Sequence, residues 1–483
     1  MNTEEKAKKE RCGCALFRPL SSVFCLLSPA PLIRRIIGLA WPFFVAQIAS
    51  IGMTVVDTLI VGHHSTAHLA AVTVSGSLYI TLILGMSGVL MALGPIIGQH
   101  YGAGRTQAIG ADIREGFWLA FLLSVIGMGL LAFPRFLLAP AHLAPEIEVI
   151  AVDYLRLLAL SLPALLGFRV FQATANALGF PAPLMYIGLL ETLAHAVIAW
   201  ALVGGHGGLP VLGARGAALS QILVNWVSLC LALYLLARHR RFLPFAAFSR
   251  FTLPHWDAQR ALLRLGVPMG CSYLVEVSAF TLMAFFIARL GAEAVSAYRI
   301  AANISAVTYM LPLALATATA ALAAQAIGAR DMALARRAIC AGQMVGVLAA
   351  LIVATLLYNL RVPIARLSNP DLQVAMMAAG MMIYIAAYQF FDAIQTIAAF
   401  ALRASKISFV PLCIHLCCFW GLGLGLGYWL AFCAPNPQGA AGFWQALVAA
   451  TIAAALLLGG LLLVVMRAWK TDDGHERKIR ETK

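Results

Sequence analysis

The chain has 483 residues, of which 62% are hydrophobic and only 11% charged, and its mean hydropathy is +0.88. So few charges cannot coat a water-soluble surface of this size, which excludes a soluble enzyme or binding module and leaves an integral membrane protein. The net charge of +14 follows the loops and ends, as a topology signal does, so a lipid bilayer and not nucleic acid is the expected basic-surface partner.

Residues 1–35 are charged, then mixed, and contain Pro19, Pro29 and Pro31. They are expected to form a loosely ordered cytoplasmic tail; the apolar core is too short and interrupted for a cleaved signal peptide. Cys12 and Cys14 lie there with no second Cys/His pair at zinc spacing, so no metal site is expected. Apolar runs long enough to cross ~30 Å of hydrocarbon as helices are predicted at 36–61, 68–98, 115–139, 149–175, 182–203, 215–237, 262–289, 295–325, 336–359, 374–402, 407–432 and 440–467. Barrel strands would be about half as long and alternate in polarity, so the fold class is all-α with twelve transmembrane helices. The basic stretch 238–261, cut by Pro244 and Pro254, is a predicted cytoplasmic linker, and 468–483 a second cytoplasmic tail. Most of the 34 Lys and Arg fall on the side of the tails and linker, whereas the opposite ends hold only Arg135, Arg215, Arg289, Arg299, Arg361 and Arg366. That bias predicts that both termini are cytoplasmic.

One stretch occurs twice. Gln99-His-Tyr-Gly102-Ala103 and Gln325-Ala-Ile-Gly328-Ala329 close apolar segments 226 residues apart, and the same offset carries Pro42 onto Pro268 and Gly213-Ala214 and Gly216 onto Gly439-Ala440 and Gly442. Each half, 36–237 and 262–467, has an even number of spans. The copies therefore start on the same side and run parallel, about an axis along the membrane normal. Two matched halves point to a transporter, in which one rocks against the other around a central site.

Acids inside spans are the candidate functional residues, because a mid-membrane carboxylate costs several kcal/mol unless it faces a cavity, a partner or a proton. Four are present, Asp57, Glu191, Glu276 and Asp392. Gln47, Ser50, Thr54 and Asp57 form one polar stripe on the first span, expected to line a wet interior. The tenth span offers Tyr388 or Gln389, Asp392, and Gln395 or Thr396, the seventh Ser272, Tyr273 and Glu276, and the fourth Arg169, Gln172 and Asn176. Neutral members of such stripes serve equally well to hold helices together. Glu191 and His195, one turn apart on the fifth span, share a face suited to relaying a proton or cation. The remaining cysteines, the loop histidines His63, His64 and His68, and the glycines Gly421, Gly423, Gly425 and Gly427 read as packing or solvated residues.

Val56-Asp57-Thr-Leu-Ile-Val-Gly62, Leu69-Ala-Ala-Val, Gly94-Pro95 to Gln99-His-Tyr-Gly-Ala-Gly-Arg105, and Tyr388-Gln-Phe-Phe-Asp392-Ala-Ile-Gln395 with Ala401-Leu-Arg403 together resemble the multidrug and toxic compound extrusion (MATE) family, in its bacterial NorM-like branch. The resemblance runs from Ile36 to Val465. It implies two six-helix lobes in a V in the bacterial inner membrane, with a Na⁺ or H⁺ gradient driving export of organic cations, no other cofactor, and a monomer as the working unit. By position it implies cation coupling at Glu276 and Asp392 with Tyr309 facing the same ion. It also implies an N-lobe acid at Asp57 and a drug-cavity acid at Asp371; beside this resemblance, the aromatics Tyr273, Phe280 and Phe285 are expected near the cavity, where ring faces attract an organic cation. Two departures stand out: Ala404-Ser-Lys406-Ile-Ser408 replaces the usual Gly-Tyr-Lys-Asp-Thr, and Glu191 and His195 stand where asparagines are common.

Other functions fit less well. A flippase for lipid-linked saccharides would require basic cavity residues for an anionic substrate. An ATP-driven pump would need a phosphate-binding Gly-rich loop, which the sequence lacks. No nucleophile-and-base set points to an enzyme, and a channel gives no reason for two halves.

Overall fold

The computed structural model describes residues 30–139, 143–248 and 252–481; the expected N-terminal tail up to residue 29, with Cys12 and Cys14, lies outside the described residues. Among the described residues, eleven helices are long and apolar enough to span a membrane, and a bent pair supplies a twelfth. In chain order they are α1 (Ala30–His64), α2 (Thr66–Gly102), α3 (Thr106–Ala132), α4 (Pro145–Ala159 with Leu162–Ala177), α5 (Ala182–Gly204), α6 (Ala214–Arg238), α7 (Trp256–Leu290), α8 (Ala292–Gly328), α9 (Met332–Ser368), α10 (Leu372–Ala404), α11 (Phe409–Cys433) and α12 (Ala440–Glu481).

The repeat seen in the sequence is present in the helices themselves. α1 and α7 start at Ala30 and Trp256, α2 and α8 at Thr66 and Ala292, α3 and α9 at Thr106 and Met332, and α6 and α12 at Ala214 and Ala440. Every pair keeps the offset that joins Pro42 to Pro268. Gly213 and Gly439, the residues before α6 and α12, both have a positive φ, 54° and 56°, which a side chain resists.

The halves are not identical, and prolines account for part of the difference. α4 bends by 49° at its break, where Pro163 has no N–H to give and crowds the preceding turn. Ser161 sits in that break, its hydroxyl bonded to the Leu158 carbonyl and to the Tyr79 hydroxyl. The position in α10 that matches Pro163 is Gln389, and α10 is continuous.

Two expectations are corrected here. α1 begins at Ala30, so the last residues of the expected tail are helical. α7 begins at Trp256, inside the stretch taken for linker. The helix can start there because Glu115 of α3 anchors it: the carboxylate accepts from the His255 backbone N–H at 3.0 Å and from Gln259 Nε2 at 2.6 Å. Trp118 Nε1 and Arg114 also bind the linker, at the Thr252 carbonyl and hydroxyl. Glu115 is thus a buried acid whose work is structural.

Candidate functional site

α7 and α10 bring the C-lobe acids together. Asp392 is fully buried, and its Oδ1 accepts from Gln395 Nε2 at 2.9 Å while Oδ2 has no hydrogen-bond partner among the described residues. Gln395 also takes the Nε2–H of His415 at 3.0 Å. Glu276, half-buried, is an electrostatic neighbour of Asp392 and of Arg403. Tyr309 of α8 and Tyr388 are electrostatic neighbours of both carboxylates. Two carboxylates held this close in a low dielectric repel each other, and one positive ion between them removes the repulsion.

A second cluster lies in the other lobe. His195 of α5 is fully buried; its Nε2 donates to Asp57 Oδ1 at 2.9 Å, and its Nδ1 lies 3.0 Å from Ser220 Oγ. Glu191 stands beside Arg169, His195 and Ser228. His195 therefore pairs with the acid of α1 more directly than with the acid on its own helix. The α1 stripe splits accordingly: Asp57 turns into the lobe, Ser50 and Thr54 are exposed, and Gln47 faces the space between lobes.

That space is a cavity of about 160 Å³ lined by α1, α2 and α4 of one lobe and by α7, α8 and α10 of the other. These are equivalent helices, so the cavity sits on the axis relating the repeats. Arg169, Gln172 and Asn176 of α4 line it, with Gln47 and Ser87 from the same lobe. The opposite wall has Tyr273, Thr317, Phe400 and Arg403.

Gln47, Arg169, Gln172, Asn176 and Tyr273, all singled out in the sequence, line the cavity, and the acids do not. Phe280 packs inside the C-lobe, 6.1 Å from the rings of both Tyr388 and Trp444. Phe285 is 68% exposed and away from the cavity wall. Asp371 is the N-cap of α10, where its carboxylate accepts the backbone N–H groups of Gln373 and Val374. Arg403 is the residue sequence reasoning misplaced. Left one residue past the predicted end of the tenth span, it is only 4% exposed, its guanidinium over the rings of Tyr273 at 5.2 Å and Phe400 at 4.8 Å. The polar, charged run that follows it hid a side chain that points back into the helix bundle.

Two stretches, residues 42–201 and 268–429, match the MatE family model. This chain belongs to the MatE family. The two matches begin at Pro42 and Pro268, the pair that first marked the repeat. The chain is 45% identical over 436 residues to the probable multidrug resistance protein NorM of Aromatoleum aromaticum, covering 90% of this chain and 94% of that protein. It is 35% identical to the protein of the same name from Chromobacterium violaceum, covering 88% and 92%. Among solved structures it resembles the eukaryotic MATE transporter AtDTX14, with a TM-score of 0.84 at 19% identity over 94% of this chain and 99% of that one. A MATE crystal structure in the bent conformation matches at 0.83 and 17%, covering 92% and 99%. At such identities these structures show the fold: twelve transmembrane helices in two six-helix lobes.

Proposed function

We propose that this MatE protein is a secondary multidrug exporter of the bacterial inner membrane, exchanging Na⁺ or H⁺ for organic cations by alternating access as a monomer. The observation that carries the reading is the Glu276–Asp392 pair: two acids from different spans, near enough to act on each other, with Asp392 fully buried. Glu276 is the member open to an incoming ion, and Asp392 lies behind it with Tyr309 and Tyr388. An ion moving inward across the full field releases about 2.3 kcal/mol per 100 mV per charge. Loading changes the charge between α7 and α10, and these helices also form one wall of the cavity, so the ion and the lobe arrangement are linked. Export follows when the inorganic and organic cations prefer opposite arrangements. The homologues named as multidrug resistance proteins support the substrate breadth, as do the apolar and aromatic walls, which adapt to many shapes.

With the basic side cytoplasmic, both termini lie inside and the lobes meet at the inner ends of α2 and α8. Ethidium efflux from vesicles of the purified protein, with Na⁺ and pH gradients imposed separately, tests the proposal. Efflux under either gradient supports exchange. No efflux under either, with accelerated passage of a fluorescent lipid, would replace it with the flippase.

A further inference from the structure

A second cavity, of about 200 Å³, lies at the end of the bundle where α2 and α8 meet. Its walls come from α1 and α2 of one lobe and from α8 and α9 of the other, and they are largely apolar, with Leu32, Leu322, Ala326, Leu334 and Ala338. The charged side chain on the wall is Arg35, which is exposed and makes no salt bridge among the described residues. Its guanidinium reaches Gln325 Oε1 only at 3.4 Å, and Gln325 Nε2 is already given to the Ala177 carbonyl of α4.

The packing of the repeats does not require this space. The offset of 226 residues carries His100 onto Ala326, Asp112 onto Ala338 and Ala261 onto Arg35. At the other seam between the lobes His100 and Asp112 are hydrogen-bonded at 2.6 Å, so two polar side chains stand where alanines leave room here, and no arginine faces them. The recess and its cation thus belong to one seam alone. An apolar recess at the ends of membrane-spanning helices lies within reach of acyl chains, and a cation at its mouth favours a negative headgroup. Arg34, Arg330 and Arg337 are exposed at the same helix ends. The acid there, Asp331, is engaged as the N-cap of α9, accepting the Leu334 N–H at 2.8 Å.

We propose that this recess binds one anionic phospholipid, its phosphodiester against Arg35 and the upper part of an acyl chain between α1, α8 and α9. The lipid touches both lobes beside Gln325 and so holds them together at this end; it is a resident of the protein and not its cargo. The site requires only that the chain spans a membrane, and it stands apart from the exchange proposed above.

The test is native mass spectrometry of the full chain in detergent, incubated with equal amounts of palmitoyl-oleoyl phosphatidylglycerol and of the phosphatidylcholine with the same chains. Protein carrying one phosphatidylglycerol is expected to exceed protein carrying one phosphatidylcholine by about fivefold, the effect of one arginine at a membrane surface. Arg35→Gln should bring the ratio to about one, and Arg35→Lys should restore most of it. Ala329→Trp, which narrows the mouth from an exposed position, should lower retention of both lipids. Phosphatidylglycerol with a diazirine near the carboxyl end of its acyl chain should crosslink within residues 322–338. Melting temperatures within a few degrees of the unmodified protein show that the variants are folded. A ratio near one for the unmodified protein, a preference that survives Arg35→Gln, or crosslinks confined to other helices overturns the site. Loss of the preference in excess inorganic phosphate, with no acyl crosslink, overturns it in favour of a free phosphate on Arg35. No gradient or drug enters the measurement, so its failure leaves gradient-driven export untouched, and a failure of export leaves this result standing.

Discussion

Gln99 and Gln325 make the same contact from opposite lobes: Gln99 Nε2 donates to the Ala404 carbonyl at 2.8 Å, and Gln325 Nε2 to the Ala177 carbonyl at 2.7 Å. Ala404 and Ala177 end α10 and α4, where the last carbonyls of a helix have no partner in the helix itself. Each lobe thus caps a helix of the other, and the caps close the cavity at that end. Breaking one leaves a buried carbonyl unsatisfied only while the lobes are together, a penalty of about 1–3 kcal/mol on the closed arrangement. Gln99→Leu and Gln325→Leu should each shift the population toward separation at this end by about fivefold or more. Distances between spin labels placed on α3 and α9 report it; unchanged distances in the double variant would refute the latch.

The glycines of the same motif are needed for contact. A Cβ on Gly102 would lie 1.8 Å from the Gln325 carbonyl oxygen, and one on Gly328 would lie 1.9 Å from that of Gln99. Backbone on both sides cannot yield as a side-chain tip can, so Gly102→Ala should lower stability by about 1–3 kcal/mol. Gly129→Ala meets nothing within 4 Å and should be neutral or slightly stabilising, since alanine favours helix. Thermal unfolding in detergent compares them; equal melting temperatures for the two variants would show that the lobes do not meet as described.

Asp371 separates a charge role from a capping role. As an N-cap it can be replaced by asparagine with little loss, whereas alanine removes the acceptor and costs about 1 kcal/mol. Asp371→Asn should therefore keep ethidium export near the unmodified rate, and Asp371→Ala should lower the melting temperature. If the asparagine variant loses export while staying folded, the carboxylate serves the substrate after all.

Composition and the repeat made the architecture legible. Pro42 and Pro268 survive at equivalent places because both sit inside the first helix of a lobe, and the Gln-x-x-Gly pairs survive because each packs against the other. What the sequence concealed was direction. Periodicity aligned Asp57 with Gln47, yet α1 crosses α5 closely enough for His195 to take the acid while Gln47 faces the cavity. Arg403 falls one residue past the predicted end of the tenth span, and because helix ends are uncertain by a turn, its position alone did not decide between solvent and cavity. Pairings between distant spans, such as Asp57 with His195, depend on tertiary packing and leave no local pattern.

The Asp57–His195 pair should behave as one unit. Removing either member strands the other in a buried site, at a cost of about 3–5 kcal/mol when that member stays charged. Asp57→Asn and His195→Phe are each expected to destabilise, and the double variant should lose much less than their sum, with a coupling of about 0.5–3 kcal/mol. A double-mutant cycle of unfolding in detergent measures this, and strict additivity would mean that the contact has no energetic weight.

Asp392→Asn isolates charge from shape in the other lobe. The asparagine Oδ1 can still accept from Gln395 Nε2, so the hydrogen-bonded chain through Gln395 to His415 persists and the helices α10 and α11 keep their packing. What disappears is the second negative charge beside Glu276, and with it the reason for a positive ion to settle between α7 and α10. The variant should reach the membrane at the unmodified level but leave gradient-driven ethidium efflux at background, a loss larger than tenfold and hence more than about 1.4 kcal/mol in the driving step. Gln395→Leu is the contrasting case: it keeps the charge of Asp392 but removes its hydrogen bond, so the carboxylate is left less satisfied and stability should fall. Efflux and membrane level measured side by side for both variants distinguish the roles, because a structural acid would lower the amount of protein and the rate together. Full efflux by Asp392→Asn at equal protein level contradicts a coupling role for this residue.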